Sequence, residues 1–130
     1  MRQVIFLYLF FLFAISLVFA AEERDLLKVA RNGNALQMRE VIASGTDLTI
    51  KDASGRSALM QSVLYGNQET ALVLLENSVD IETRDEVGLT PLTLSVRYGD
   101  AEMTRILLEH GANVESKMED GSTPLMFAAL

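Results

Sequence analysis

The side chains able to do chemistry in this chain are few and poorly grouped. His110 is its only histidine, and cysteine is absent. A lone imidazole with no thiolate, and no carboxylate at ligand spacing on its face, makes no metal site. In Leu107-Leu108-Glu109-His110-Gly111 it reads instead as the end of a helix. Ser57, Ser62 and Ser95 could serve as nucleophiles, but none stands in a Gly-x-Ser-x-Gly turn, and no second histidine is present to act as a base. The paired carboxylates Glu22-Glu23, Asp85-Glu86 and Glu119-Asp120 fall at the start of the chain and at turn-rich stretches. Without an apolar pocket to raise one pKa they read as solvated charges. Asp85-Glu86-Val87-Gly88 is too short and too poor in oxygen ligands for a calcium loop. No glycine loop is free to cradle a phosphate. The expectation is no enzyme, no metal, no cofactor and no small-molecule substrate.

The elements that would have to position these residues repeat. Gly33, Gly66 and Gly99 stand 33 residues apart, as do Gly55, Gly88 and Gly121, and Leu26, Leu59, Leu92 and Leu125. Ala58 is matched by Pro91 and Pro124, and Asp47 by Asp80 and Asn113. A fixed period without insertion is the signature of a stacked-repeat architecture. Each column has a mechanical reason. Thr90 can cap a helix whose first turn accepts Pro91. Leu92, Leu94 and Val96 supply apolar contacts, and Gly99 tolerates the left-handed turn that stops the helix. Asp100 opens a second helix with Glu102 near its positive end, and Met103, Ile106 and Leu107 give it one buried face before Gly111 ends it.

GLTPLTLSVRYGDAEMTRILLEHGANV, residues 88 to 114, resembles the ankyrin repeat almost throughout. The preceding unit, GRSALMQSVLYGNQETALVLLENSVDI, departs from it: Ser57-Ala58 replaces Thr-Pro, and Ser78 replaces the helix-stopping glycine. LLKVARNGNALQMREVIASGTDL keeps the helix pair but lacks the hairpin, as suits an N-terminal cap. The resemblance implies an all-α solenoid of helix pairs joined by β-hairpin-like loops, with repeats at about 23–51, 52–84 and 85–117 and a partial fourth at 118–130.

Residues 4–21, VIFLYLFFLFAISLVFAA, carry no charge; Arg2 precedes them and Ala21-Glu22-Glu23-Arg24 overlaps and follows their end. A positive start, an apolar run and small residues at its close are the features of a secretory signal peptide. Residues 1–20 are expected to be removed, leaving a domain of 21–130. The runner-up is an uncleaved signal anchor, since eighteen apolar residues can just span a bilayer. The charge bias sends the remainder out of the cytoplasm in either case, so a periplasmic or secreted location is expected. Arg2 is the only charged residue before Ala21, so the remainder holds 10 bases against 18 acids, a formal charge of −8. That balance argues against nucleic acid, whose backbone needs a basic stripe.

What remains for function is a surface. The resemblance implies a concave groove between the first helices and the loop tips, where family members bind proteins. Carried over by position, the tips are Ala53, Ser54 and Arg56, then Glu86, Val87 and Leu89, then Glu119, Asp120 and Ser122. The groove positions before each helix-ending glycine are Arg31 and Asn32, Leu64 and Tyr65, Arg97 and Tyr98. Tyr and Arg are enriched among interface hot spots. The resulting expectation is a protein-binding module outside the cytoplasm, with an accessory or chaperone-like helper of an extracytoplasmic enzyme as the alternative. Leu125, Met126, Phe127 and Leu130 carry the pattern of an interior repeat with no second helix after them. A chain of these 130 residues is therefore expected to be marginally stable or to self-associate through its C-terminal end. A cooperative melt from a monomer whose midpoint ignores concentration would contradict this.

Overall fold

The structure is a computed structural model that describes residues 1–118 and 120–128; the side chains of 18–25, 127 and 128 stand outside the description. Among the described residues seven helices follow in order: α1 (Arg2–Asn32), α2 (Ala35–Ala43), α3 (Ala58–Leu64), α4 (Gln68–Glu76), α5 (Pro91–Arg97), α6 (Ala101–Glu109) and α7 (Pro124–Ala128). They form two rows. The first helices α1, α3, α5 and α7 pack side by side, the second helices α2, α4 and α6 form another row, and each pair is joined across the rows. The described residues contain no sheet; the hairpin-like loops show one isolated antiparallel bridge, Lys51 with Ser57.

Local chemistry starts the helices. Asn34 accepts from the Gln37 amide at 3.0 Å, Ser57 from Met60 at 3.3 Å, Thr90 from Thr93 at 3.3 Å, and Asp100 from Met103 at 3.0 Å. Each bond satisfies one of the amides a helix start leaves unpaired. Pro91 takes the first turn of α5 as its sequence suggests. Asn67 stands in the same column but acts otherwise. Its side-chain amide donates at 2.8 Å to the carbonyls of Ala30 and Arg31, tying the second unit to the end of α1. Gly33 lies so close beneath that a Cβ there would meet Asn67 Oδ1 at 2.5 Å.

The apolar columns then close the core. Leu26, Leu59 and Leu92 are 0%, 1% and 2% exposed, one from each successive first helix. Met38, Leu74 and Leu107 seal the second row. The N-terminal apolar run continues without a break into the first repeat as part of the 31-residue α1. Residues 4–13 are exposed on every face and lie outside this core. Among the described residues no helix is long and apolar enough to cross a membrane.

Ser78, where the repeat would place glycine, has φ +58°, the one positive value at a non-glycine residue among those described. Left-handed backbone costs an L-residue about 1–2 kcal/mol, of which glycine's greater unfolded-state freedom gives back about 0.5–1 kcal/mol. Ser78→Gly is therefore expected to raise unfolding stability by about 0.5–1 kcal/mol in urea titrations. A loss of stability would mean that the Ser78 side chain contributes something its geometry does not reveal.

Candidate functional site

The three loop tips share one backbone frame. Asp52, Asp85 and Met118 each donate an amide across the turn, to the carbonyls of Arg56, Leu89 and Ser122. Gly55, Gly88 and Gly121 each donate back to the carbonyl of the residue that opens the turn. Two of the three tips are also tied from within by a carboxylate. Asp52 Oδ1 accepts from the amides of Ser54 and Arg56, and Asp85 Oδ1 from those of Val87 at 3.0 Å and Leu89 at 2.9 Å. The third tip has buried, apolar Met118 in that column, and Asp120 accepts from the Ser122 amide and hydroxyl instead. Those bonds hold the Asp120 carboxyl below its ordinary pKa, the hydroxyl contributing most.

Two expectations are corrected here. Leu89 is no exposed tip residue: it is buried in the core, because its carbonyl and amide are both fixed to Asp85 and its side chain is turned inward. Asp85 is no solvated carboxylate: its side chain is 1% exposed, with Arg56 Nε of the preceding tip 3.7 Å from Oδ2. The Glu86 amide donates at 3.0 Å to the Ser54 carbonyl, so adjacent tips are joined by backbone as well as by charge. Neither Arg56 Nε nor Asp85 Oδ2 has a hydrogen-bond partner among the described residues. This cross-unit pair was missed in the sequence because its members are 29 positions apart and only stacking brings them together.

The remaining candidates divide by exposure. Glu86, Val87 and Asp120 are exposed, as are Ala53 and Ser54, while Ser122 is half-buried. Glu119 lies outside the described residues. On the side where the first helices end, Arg31, Asn32 and Arg97 are exposed, and Tyr65 and Tyr98 are 60% and 63% exposed. Leu64 is half-buried against the core and presents less surface than its position suggested. Leu36, in the first turn of α2 just past the Gly33 turn, is exposed where the same column later carries Glu69 and Glu102. That column difference was the available signal for it.

The side chains weighed for catalysis are held in backbone roles. Ser57 caps α3, the Ser62 hydroxyl donates to the Ala58 carbonyl, and the Ser95 hydroxyl donates to Leu92 and accepts from Thr104 across the helix pair. His110 Nδ1 is 2.8 Å from the Ile106 carbonyl at the end of α6. On the outer face of α6, Arg105 lies between Glu102 and Glu109, and its hydrogen bond holds the Glu102 carboxyl below its usual range.

A family model described as ankyrin repeats, in three copies, matches residues 79–130. No curated protein matches the chain.

Losing the Asp85 carboxylate leaves two tip amides without their acceptor and Arg56 without its counter-charge, so Asp85→Ala is expected to cost about 2–3 kcal/mol of stability. Arg56→Ala, which spares those amides but leaves the buried Asp85 carboxylate without its counter-charge, is expected to cost less, about 1–2 kcal/mol. Chemical denaturation of both variants tests the order. Equal losses would assign the stability to the ion pair rather than to the turn.

Proposed function

We propose that this ankyrin-repeat chain binds a partner protein outside the cytoplasm, through the surface between its loop tips and the ends of its first helices. Ankyrin repeats generally act as non-enzymatic protein–protein interaction modules, and the match over residues 79–130 supports that role here. The particular surface rests on one observation: Tyr65 and Tyr98 stand on neighbouring first helices with most of their ring area in solvent. The scaffold has no need of them there, since the helices end correctly on Gly66 and Gly99 whatever precedes those glycines. Large exposed aromatic groups in a row are the usual anchors of an interface.

The location rests on the sequence of the N-terminal run. An apolar helix exposed on every face over residues 4–13, with Arg2 at its head, is not a surface that a chain keeps in water, and export machinery or a bilayer would take it up. The mass of the mature N-terminus separates cleavage after Ala20 from a retained anchor. A transient helper of an extracytoplasmic enzyme is the same surface in a different setting, recognised by capture of one stoichiometric enzyme.

A second reading, self-association, is favoured by a cleft of about 440 Å³ at the α5–α6–α7 end, lined by Leu92, Val96, Leu108, Val114 and Leu125. Leu125 is 76% exposed there.

The deciding experiment uses the full chain and its Arg97→Ala/Tyr98→Ala variant as parallel baits against the extracytoplasmic fraction. The proposal expects a protein held by the parent chain and lost with the variant, at unchanged circular dichroism. A variant that keeps its fold and every partner would sink it.

A further inference from the structure

We infer that the segment bound on this surface is acidic and extended, its carboxylates taken by Arg31 and Arg97 and its apolar side chains by the rings of Tyr65 and Tyr98. This rests on the binding role proposed above and specifies the chemistry of the partner.

The chain carries 18 acidic residues against 11 basic ones, so acids are abundant enough to neutralise every base. Four of the arginines face partners of their own. Arg39 pairs with Glu76 at 3.4 Å, Arg56 with Asp85, and Arg105 with Glu102 and Glu109. Arg84 donates to the Gly88 carbonyl and to Ser116, both at 2.9 Å. The two arginines beside the exposed aromatic row are different. Arg31 gives only its Nε, to the Leu27 carbonyl of its own helix, and Arg97 has no hydrogen bond or ion pair among the described residues. A helix C-terminus favours a cation in each place, which accounts for the charge but leaves the guanidinium fork open. That fork matches a carboxylate with two parallel hydrogen bonds.

The spacing specifies the segment. Neighbouring packed helices stand about 8–10 Å apart, so α1 and α5, with α3 between them, present their arginines about 16–20 Å apart. Five or six extended residues, at about 3.3 Å each, cover that span. Tyr65 and Tyr98 fall within the row, and Leu64 replaces the arginine on α3. The segment therefore needs an apolar stretch between two acidic residues. A basic segment would meet two uncompensated guanidinium groups. A polyphosphate backbone would meet a protein of formal charge −7.

The test uses three fluorescein-labelled twelve-residue peptides with one apolar sequence, differing only at two positions six residues apart, which carry Glu, Ser or Lys. Fluorescence anisotropy is read against the full chain in a non-ionic detergent at low salt. The Glu peptide is expected to bind about tenfold or more tighter than the Ser peptide, and the Lys peptide weakest. Arg31→Glu/Arg97→Glu, both at exposed positions, is expected to reverse the Glu and Lys ranking, whereas Tyr65→Ala/Tyr98→Ala should weaken all three alike. Equal affinities, a preference for Lys, no binding of the Glu peptide, or a ranking unmoved by the charge reversal overturns the inference. If those results accompany capture of a partner that still depends on Arg97 and Tyr98, the binding role stands and the acidic chemistry is wrong.

Discussion

Helices of seven and nine residues cannot hold themselves together in water, and no unit of this chain can bury its apolar face within its own helix pair. The stacking of one pair on the next is the interaction on which everything else depends. It works because the units stay in register: an unbroken 33-residue period puts Leu26, Leu59 and Leu92 at the same height in successive first helices. The contacts that enforce register are polar as well as apolar. Asn67 holds the carbonyls at the end of α1, Glu86 is bonded to Ser54 through the backbone, and Asp85 faces Arg56.

This arrangement uses polar groups in a particular way. Hydroxyls and carboxylates that look reactive in the sequence are engaged in starting helices and closing turns. Ser57, Thr90 and Asp100 accept helix amides, and Asp52 and Asp85 accept turn amides. With the interior committed to holding the units in line, the positions that cap nothing and pack little are the residues just before the helix-ending glycines and the outward turns of the tips.

The periodic core was the legible part. Column matching placed the caps, the turn glycines and the faces of α5 and α6 correctly, because each depends on residues within four positions of one another. Departures from the columns were equally readable, and Ser78 adopts the left-handed conformation that a glycine would have held without strain. Exposure at the tips was read less well. Leu89 and Asp85 sit in a turn whose composition looks solvated, yet both are buried. Their burial comes from the neighbouring unit, and no local pattern encodes it.

The amino-acid sequence by itself determined the repeat, the helix pairs, their starts and stops, and the apolar N-terminal run, since these follow from short-range hydrogen bonding and from the spacing of apolar residues along one helix. Tertiary structure alone decided which of the outward positions are surface and which charges are already neutralised. Arg56 and Arg97 look alike on paper; one meets a buried carboxylate from the next unit, and the other stands open beside Tyr98. Pairing of that kind depends on distances across the stack, between residues far apart in the chain, and those distances exist only once the units have closed on one another.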